Sequence, residues 1–338
     1  RCCNMFDKDM LKSILAAYGP SGREQTVSDV IRSYVEPFAD EVYNDTLGNL
    51  IAVKKGTSGK KVMLSAHMDQ IGLIVVDIDE KGFLRVSNVG GVNPVVSVAR
   101  EVKFENGTHG VTYFETEKHG AKDATMPELF VDIGATTREE AEAKVQIGDV
   151  AVYVTNFVEM GSRVSSGALD DRIACAAVVE AFRTMQNVHD VYAVFTVQEE
   201  VGLRGAGAAA YAIEPDLNIS LDVTGTGDTP KCGRMSVKLG AGATVKVMDS
   251  SVIVPPVVRA FLAEAADGKN IRWQPEVLRA GGTDTGAVQR TRGGILSGCI
   301  SIPTRYIHSP VETADMGDYE AAVQLVCAAV AKQELPHR

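Results

Sequence analysis

The chain has 338 residues, 45% of them hydrophobic and 23% charged, which is enough apolar material for a sizeable core in one large domain or two. Its formal net charge of −10 argues against nucleic acid or an anionic membrane as the main partner. No run of about 18 apolar residues is present to span a membrane, and the N-terminus lacks the apolar stretch of a secretory signal. Six cysteines, Cys2, Cys3, Cys175, Cys232, Cys299 and Cys327, are scattered with no Cys-x-x-Cys pair and no zinc-finger spacing. Buried free thiols and a reducing, cytoplasmic location are the expectation.

In chain order, segments 7–18 and 24–38 carry apolar residues at helical spacing and are separated by Gly19-Pro20-Ser21-Gly22. Residues 50–53 read as a strand, and 62–69 as a buried strand that ends in His67-Met68-Asp69. Asp69 lies two residues beyond His67, on the same side of an extended chain. Metal-bound histidines usually give their second ring nitrogen to a carboxylate, carbonyl or water, which suits this pair. From Gly72 to Gly161 helical periodicity almost vanishes, and short β-type runs dominate at 82–86, 101–104, 110–114, 129–133 and 150–157. One helix interrupts them at 137–146, with Thr137 as N-cap and Glu139 and Glu140 in its first turn. The composition shift marks an inserted small β-domain.

The stretch from Ser165 to Asp222 organises the rest. Asp170 and Asp171 precede a helix whose Cys175, Val178, Val179 and Phe182 follow the spacing of a core-facing stripe. Buried strands are expected at 191–197 and 217–221, which places Glu199, Glu200 and Asp222 at strand carboxyl ends, where ligand sites of open α/β sheets lie. Each acid has a plainer explanation: charge at a helix N-terminus for Asp170 and Asp171, a solvated turn for the glutamates, a turn former for Asp222. Further on come short helices at 204–211 and 255–266, a Gly-rich turn at 280–286, and a strand from Cys299 whose following loop carries His308. A helix at 316–332 closes the chain. His109, His119, His189 and His337 are expected in loops, turns or the tail, solvated. Arg290 and Arg292 are candidates to select acidic side chains, with a solvated basic loop as the plainer reading.

Two histidines and several carboxylates near strand ends are the donor composition of a zinc site. Five ligands suffice for two ions when one carboxylate bridges. Two ions about 3.5–4 Å apart can generate hydroxide at neutral pH and clamp a developing oxyanion. A further carboxylate must then carry the proton from water to the leaving group. Glu199 and Glu200 are adjacent, so one can ligate while the other faces the substrate, and the residues alone leave open which.

The motifs Ser65-Ala66-His67-Met68-Asp69, Ala168-Leu169-Asp170-Asp171-Arg172, Gln198-Glu199-Glu200-Val201-Gly202, Leu221-Asp222-Val223-Thr224, Gly281-Gly282-Thr283-Asp284 and the run from Ile300 through His308 to Glu312 resemble, in this order, the glutamyl-aminopeptidase or cellulase-M family of two-zinc exopeptidases, which includes the tetrahedral aminopeptidases. The resemblance runs nearly end to end. It implies a mixed, largely parallel α/β sheet flanked by helices, with a β-barrel-like insert at 72–161 for dimerisation and a catalytic domain at 1–71 and 162–338. Asp170 is implied to bridge two divalent ions, with zinc expected and cobalt or manganese as alternatives. His67 and Asp222 would complete one ion, Glu200 and His308 the other. Glu199 is implied as general base, Asp69 as orienter of His67, and the Asp170–Asp171 peptide as cis. Short peptides are the implied substrates, and dimers assembling into a dodecamer the implied state. A two-zinc deacylase and a non-catalytic scaffold are the competing readings. A glycosidase would leave both histidines unexplained and has one Trp for sugar stacking.

Overall fold

A computed structural model describes residues 7–116 and 120–337, so Cys2, Cys3 and His119 lie outside the described residues. The chain enters a large sheet through β1 (Glu41–Asn44), β2 (Leu50–Lys54) and β3 (Lys61–His67). It then leaves to build six strands, β4 (Gly72–Ile78), β5 (Leu84–Val89), β6 (Glu101–Phe104), β7 (His109–Phe114), β8 (Leu129–Asp132) and β9 (Val150–Tyr153). These close into a barrel of order β4-β5-β8-β7-β6-β9. The chain returns through β10 (Val158–Met160) and β11 (Arg163–Ser166), followed by β12 (Asp190–Thr196), β13 (Leu217–Thr224), β14 (Ala243–Met248), β15 (Trp273–Val277), β16 (Leu296–Arg305) and β17 (Glu312–Asp315). The large sheet runs β1-β2-β12-β3-β13-β16-β17-β11-β10, with β14 and β15 branching from β16. Its centre, β12-β3-β13-β16, is parallel, and antiparallel pairs flank it.

The central strands are buried on both faces, which is why they read as apolar runs. On one face Val62, Leu64 and Ala66 of β3 and Leu217, Ile219 and Leu221 of β13 join a core with the Leu169–Thr184 and Met316–Val330 helices. The opposite face is partly polar and pairs several of its polar groups with one another, although Asn218 Oδ1 and Asp284 Oδ1 stay without a partner. Ser65 Oγ donates to Ser220 Oγ at 3.0 Å, Asn218 Nδ2 to the same oxygen at 3.0 Å, and Thr196 Oγ1 to Asp284 Oδ2 at 2.6 Å. The barrel keeps a core of its own, from Leu73, Val75, Leu84, Val102, Phe104, Leu129 and Val131. Its β7 alternates exposed and buried residues, the period-two pattern of a strand with one wet face.

Several expectations are corrected. His189 is 1% exposed, with Nδ1 2.7 Å from Ser58 Oγ and Nε2 3.0 Å from the Lys332 carbonyl; its polar neighbours in sequence hid a tertiary pocket. His109 opens β7 rather than lying in a loop, and its exposed ring pairs with Glu101 at 2.9 Å. The helix expected at 137–146 is only Arg138–Glu142, although Thr137 does cap it, accepting from Glu140 N at 3.3 Å. Val158–Met160 pairs with β11 in the large sheet, outside the barrel.

One buried cation ties the N-terminal helix to the site. Arg172 is 0% exposed, and its Nη1 donates to the carbonyls of Ile14 and Leu15, both at 3.2 Å, and of Ala17. Its Nη2 donates to Gly19 O and its Nε to Met68 O, both at 3.3 Å. The guanidinium thereby satisfies the C-terminal carbonyls of the Lys8–Ala16 helix and fixes the strand exit beside Asp69.

Candidate metal centre

The candidate residues arrive from separate segments, all at the carboxyl end of the parallel strands. His67 ends β3, Asp222 lies near the end of β13, Glu199 and Glu200 follow β12, and His308 sits between β16 and β17. Asp170 and Asp171 open the Leu169–Thr184 helix with non-helical backbone angles, and the peptide between them is cis, as the resemblance implied.

The side chains converge on one carboxylate. Asp170 Oδ1 lies 3.1 Å from His67 Nε2, and its Oδ2 lies 3.3 Å from His308 Nε2. Glu200 Oε2 approaches His308 Nε2 at 3.2 Å, whereas Glu199 Oε2 is 3.8 Å from His67 Nε2. Donor atoms of His67, Asp170 and Glu200 lie within 4.8 Å of one another, as do those of His67, Asp171 and Asp222. Asp171 is the addition here. Its Oδ2 accepts from His67 N at 3.3 Å, while its buried Oδ1 has no hydrogen-bond partner. Only its place beside Asp170 could have flagged it in the sequence.

Charge is out of balance in this cluster. Burial pushes the carboxyls of Glu199, Asp222 and Asp171 well above the usual range, and neighbouring carboxylates push them further. Asp170 goes the other way: burial opposes its charge, but His308 and His67 hold it low. Burial works against a proton on either histidine, yet Asp170 and Glu200 raise His308 to about 11, and Glu199, Asp170 and Asp69 raise His67. Buried acids that repel one another, with imidazole nitrogens between them and an orphaned Asp171 oxygen, fit divalent cations better than they fit protons.

Asp69 does more than the sequence suggested. His67 Nδ1 is 3.1 Å from the Asp69 carbonyl and 3.5 Å from its carboxylate, so the closer partner is the main chain. The carboxylate instead accepts from Glu199 N at 3.0 Å, Glu200 N at 3.2 Å and Ser21 Oγ at 2.6 Å. It therefore pins the turn that carries both glutamates. Both glutamates lie beyond the end of β12, in this turn. Gln198 adopts φ +56° just before them, and the Glu199 carboxylate approaches His67 while the Glu200 carboxylate approaches His308.

A cleft of about 520 Å³ opens over His67, Asp170, Glu199, Glu200, Asp222 and His308, and Leu203, Val223, Leu278 and Ile307 supply its apolar wall. Arg290 and Arg292 do not border it. Arg290 Nε donates to Gly286 O at 2.8 Å. Arg292 stacks 4.0 Å from the Tyr211 ring centroid and pairs with Glu214 at 3.1 Å. The acid-selecting role considered for them has no geometric basis.

A mixed sheet with a barrel insert is a fold shared with known aminopeptidases. Residues 48–325 match the model of the M42 glutamyl aminopeptidase family, and the chain belongs to that family. A protein of Acetivibrio thermocellus that carries an aminopeptidase name is 50% identical over 328 residues, covering 97% of this chain and 98% of its own. The TET1 peptidase of Pyrococcus horikoshii, described as assembling into a tetrahedron or a large octahedral shell, superposes with a TM-score of 0.86 at 32% identity, covering 95% of this chain and 98% of that one. A PhTET1-12s structure, described as a dodecamer, gives a TM-score of 0.87 at 31% identity over 96% and 99% of the two chains. Hydrolysis as an aminopeptidase is the activity these likenesses support. Among the described residues no helix is long and apolar enough to cross a membrane.

Proposed function

We propose that this chain removes N-terminal residues from short peptides with the help of two divalent cations, zinc first and cobalt or manganese as alternatives. The observation that carries the reading is Asp170, whose two oxygens each face a different histidine, as a bridging ligand requires. His67 and Asp222 would hold one ion with Asp170, and Glu200 and His308 the other. When bound, the cations lower the pKa of water and polarise the scissile carbonyl. Glu199, buried and with its carboxyl pushed up, is the base that takes a proton from the attacking water and delivers it to the departing amine. Asp69 keeps that base in place through the Glu199 amide. The apolar wall of the cleft, from Leu203, Val223, Leu278 and Ile307, would flank the bound peptide.

The test is metal removal with reconstitution. Chelation should abolish hydrolysis of aminoacyl anilides, and zinc or cobalt should restore it. His67→Ala and His308→Ala should each lose a different ion by elemental analysis. If both variants lose the same ion, the pairing is wrong, and if the stripped protein keeps full activity, the whole reading fails.

We further propose that segments 1–71 and 162–338 form the catalytic unit, and that the insert at 72–161 makes the dimer contact from which a dodecamer is built. The support is that the barrel has its own core and, among the described residues, contributes none of the candidate ligands. Replacing the insert by a short linker should give smaller particles in sedimentation, and an unchanged oligomer would move the contact to the catalytic unit. The free thiols of Cys175 and Cys299, both buried, suit a cytoplasmic location.

A further inference from the structure

We propose that Glu312 is a positioning residue that fixes two ligands of one cation, Asp170 and His308, through their main-chain amides. The inference rests on the two-cation reading above. Glu312 is 2% exposed, and its Oε2 accepts from Asp170 N at 2.9 Å while its Oε1 accepts from His308 N at 2.8 Å. Both of its carboxylate oxygens are engaged by these main-chain amides, so it acts through the residues it holds.

The topology shows why such a device is needed. β11 runs to Ser166 and then reaches Asp170 through Ala168, which has φ +58°. β16 ends at Arg305 and reaches His308 through Tyr306 at φ +60°, with His308 itself at φ +63°. Both ligands therefore sit on irregular backbone that no strand ladder or regular helix fixes, and left-handed angles are unfavourable for side chains of this kind. Glu312 is the first residue of β17, where Ser166 and Glu312 are register partners in the β11–β17 pairing. It stands at the last regular point between the two segments and fastens one with each oxygen.

Only a carboxylate fits this task. It offers two acceptor oxygens and no donor, and two N–H groups converge on it. Glutamine keeps the shape but supplies one acceptor, and its NH₂ would face an amide donor. Leaving a backbone N–H buried and unpaired is costly, so one of the two ligand segments must shift. A carboxylate burying its charge beside Asp170 is otherwise an expensive choice for this position.

Asp318 provides an internal control. It is fully buried and accepts from Gly240 N at 2.6 Å and Gly242 N at 2.7 Å, the same kind of double fastening, made to residues outside the candidate ligand set. The experiment titrates zinc into the chelator-stripped full chain against a competing chromophoric chelator, for the native sequence, Glu312→Gln and Asp318→Asn. Thermal midpoints of the stripped proteins are recorded alongside. Glu312→Gln should bind the zinc ion held by Glu200 and His308 about 10–100-fold more weakly, the usual effect of losing a ligand's outer partner, and the other ion, which shares only Asp170 with it, by a smaller factor. Asp318→Asn should lower the midpoint and leave both zinc affinities unchanged. Zinc affinities in Glu312→Gln within twofold of the native chain would overturn the proposal, and so would equal weakening by Asp318→Asn. A native chain that binds fewer than two ions overturns the two-cation reading instead, and Glu312 is still judged by the shift between variant and native chain. Amide exchange in the stripped native chain needs no variant at all. Slow exchange at Asp170 and His308 is expected, and fast exchange at either, with the central sheet protected, would also overturn the assignment.

Discussion

Glu199→Gln is expected to lower kcat by about 10²–10⁴-fold while the metal content stays that of the native chain. Glutamine retains the size of the side chain and its place in the cleft but cannot accept a proton. The main-chain bond from Glu199 N to Asp69, which seats the turn, is untouched by the change. The attacking water therefore loses its base and the leaving amine its acid, with little effect on substrate binding. Glu200→Gln should behave differently, because Glu200 Oε2 sits 3.2 Å from His308 Nε2 among the candidate ligands. It should lose metal, and excess zinc should recover part of the rate. Metal stoichiometry measured beside kcat for both variants decides the matter. If Glu199→Gln loses metal and Glu200→Gln keeps it, the two roles are exchanged.

The largest effect on stability is expected at Arg172. Arg172→Met keeps much of the side-chain volume but removes the donors that serve the carbonyls of Ile14, Leu15, Ala17, Gly19 and Met68. Burial pulls its pKa down to about 10, so the group is charged at neutral pH, with Asp69, Glu312 and Glu24 among the acids that favour that charge. Removing one partner from a buried charged network leaves several acceptors without donors, at a cost of about 3–5 kcal/mol. Urea unfolding of the stripped protein should show a correspondingly lower midpoint with an unchanged slope. A loss below about 1 kcal/mol would mean that water replaces the guanidinium, and that the helix end does not depend on it.

The parts of this molecule that could be read from its sequence share a physical trait: they are buried and locally regular. β3, β12 and β13 announce themselves as short apolar runs because both faces of the central sheet are covered. The boundary at Gly72 is visible because a closed barrel with one inner face must change the period of the pattern. β1 and β15 escaped for the converse reason, and β14 and β17, though largely buried, because β14 carries Thr244 and Lys246 among its apolar residues and β17 is short and mostly polar. β1 has exposed ends, β15 contains Pro275 and an exposed Val277, and β17 is four residues long. In the site, strand ends located His67 and Asp222, and motif order supplied the roles proposed for them. What could not be read was the second partner of each acid. Asp69 meeting the Glu199 and Glu200 amides, and Glu312 meeting the Asp170 amide, are contacts over about 130 to 142 residues of sequence with no local signature, whereas the bond from His308 N to Glu312 spans four. The left-handed Gln198 just before the two glutamates was equally silent, since a left-handed glutamine has no compositional mark.

The sheet order also sets a schedule for synthesis. A chain elongating from its N-terminus completes β3 at His67, but the neighbours of β3 in the sheet are β12 and β13, which begin at Asp190 and Leu217. Between those events the ribosome delivers the whole barrel, whose strands pair only with one another and whose core is separate. The nascent polypeptide thus carries a finished barrel beside a hydrophobic strand with both edges open, and the sheet's parallel centre can assemble only when the second half emerges.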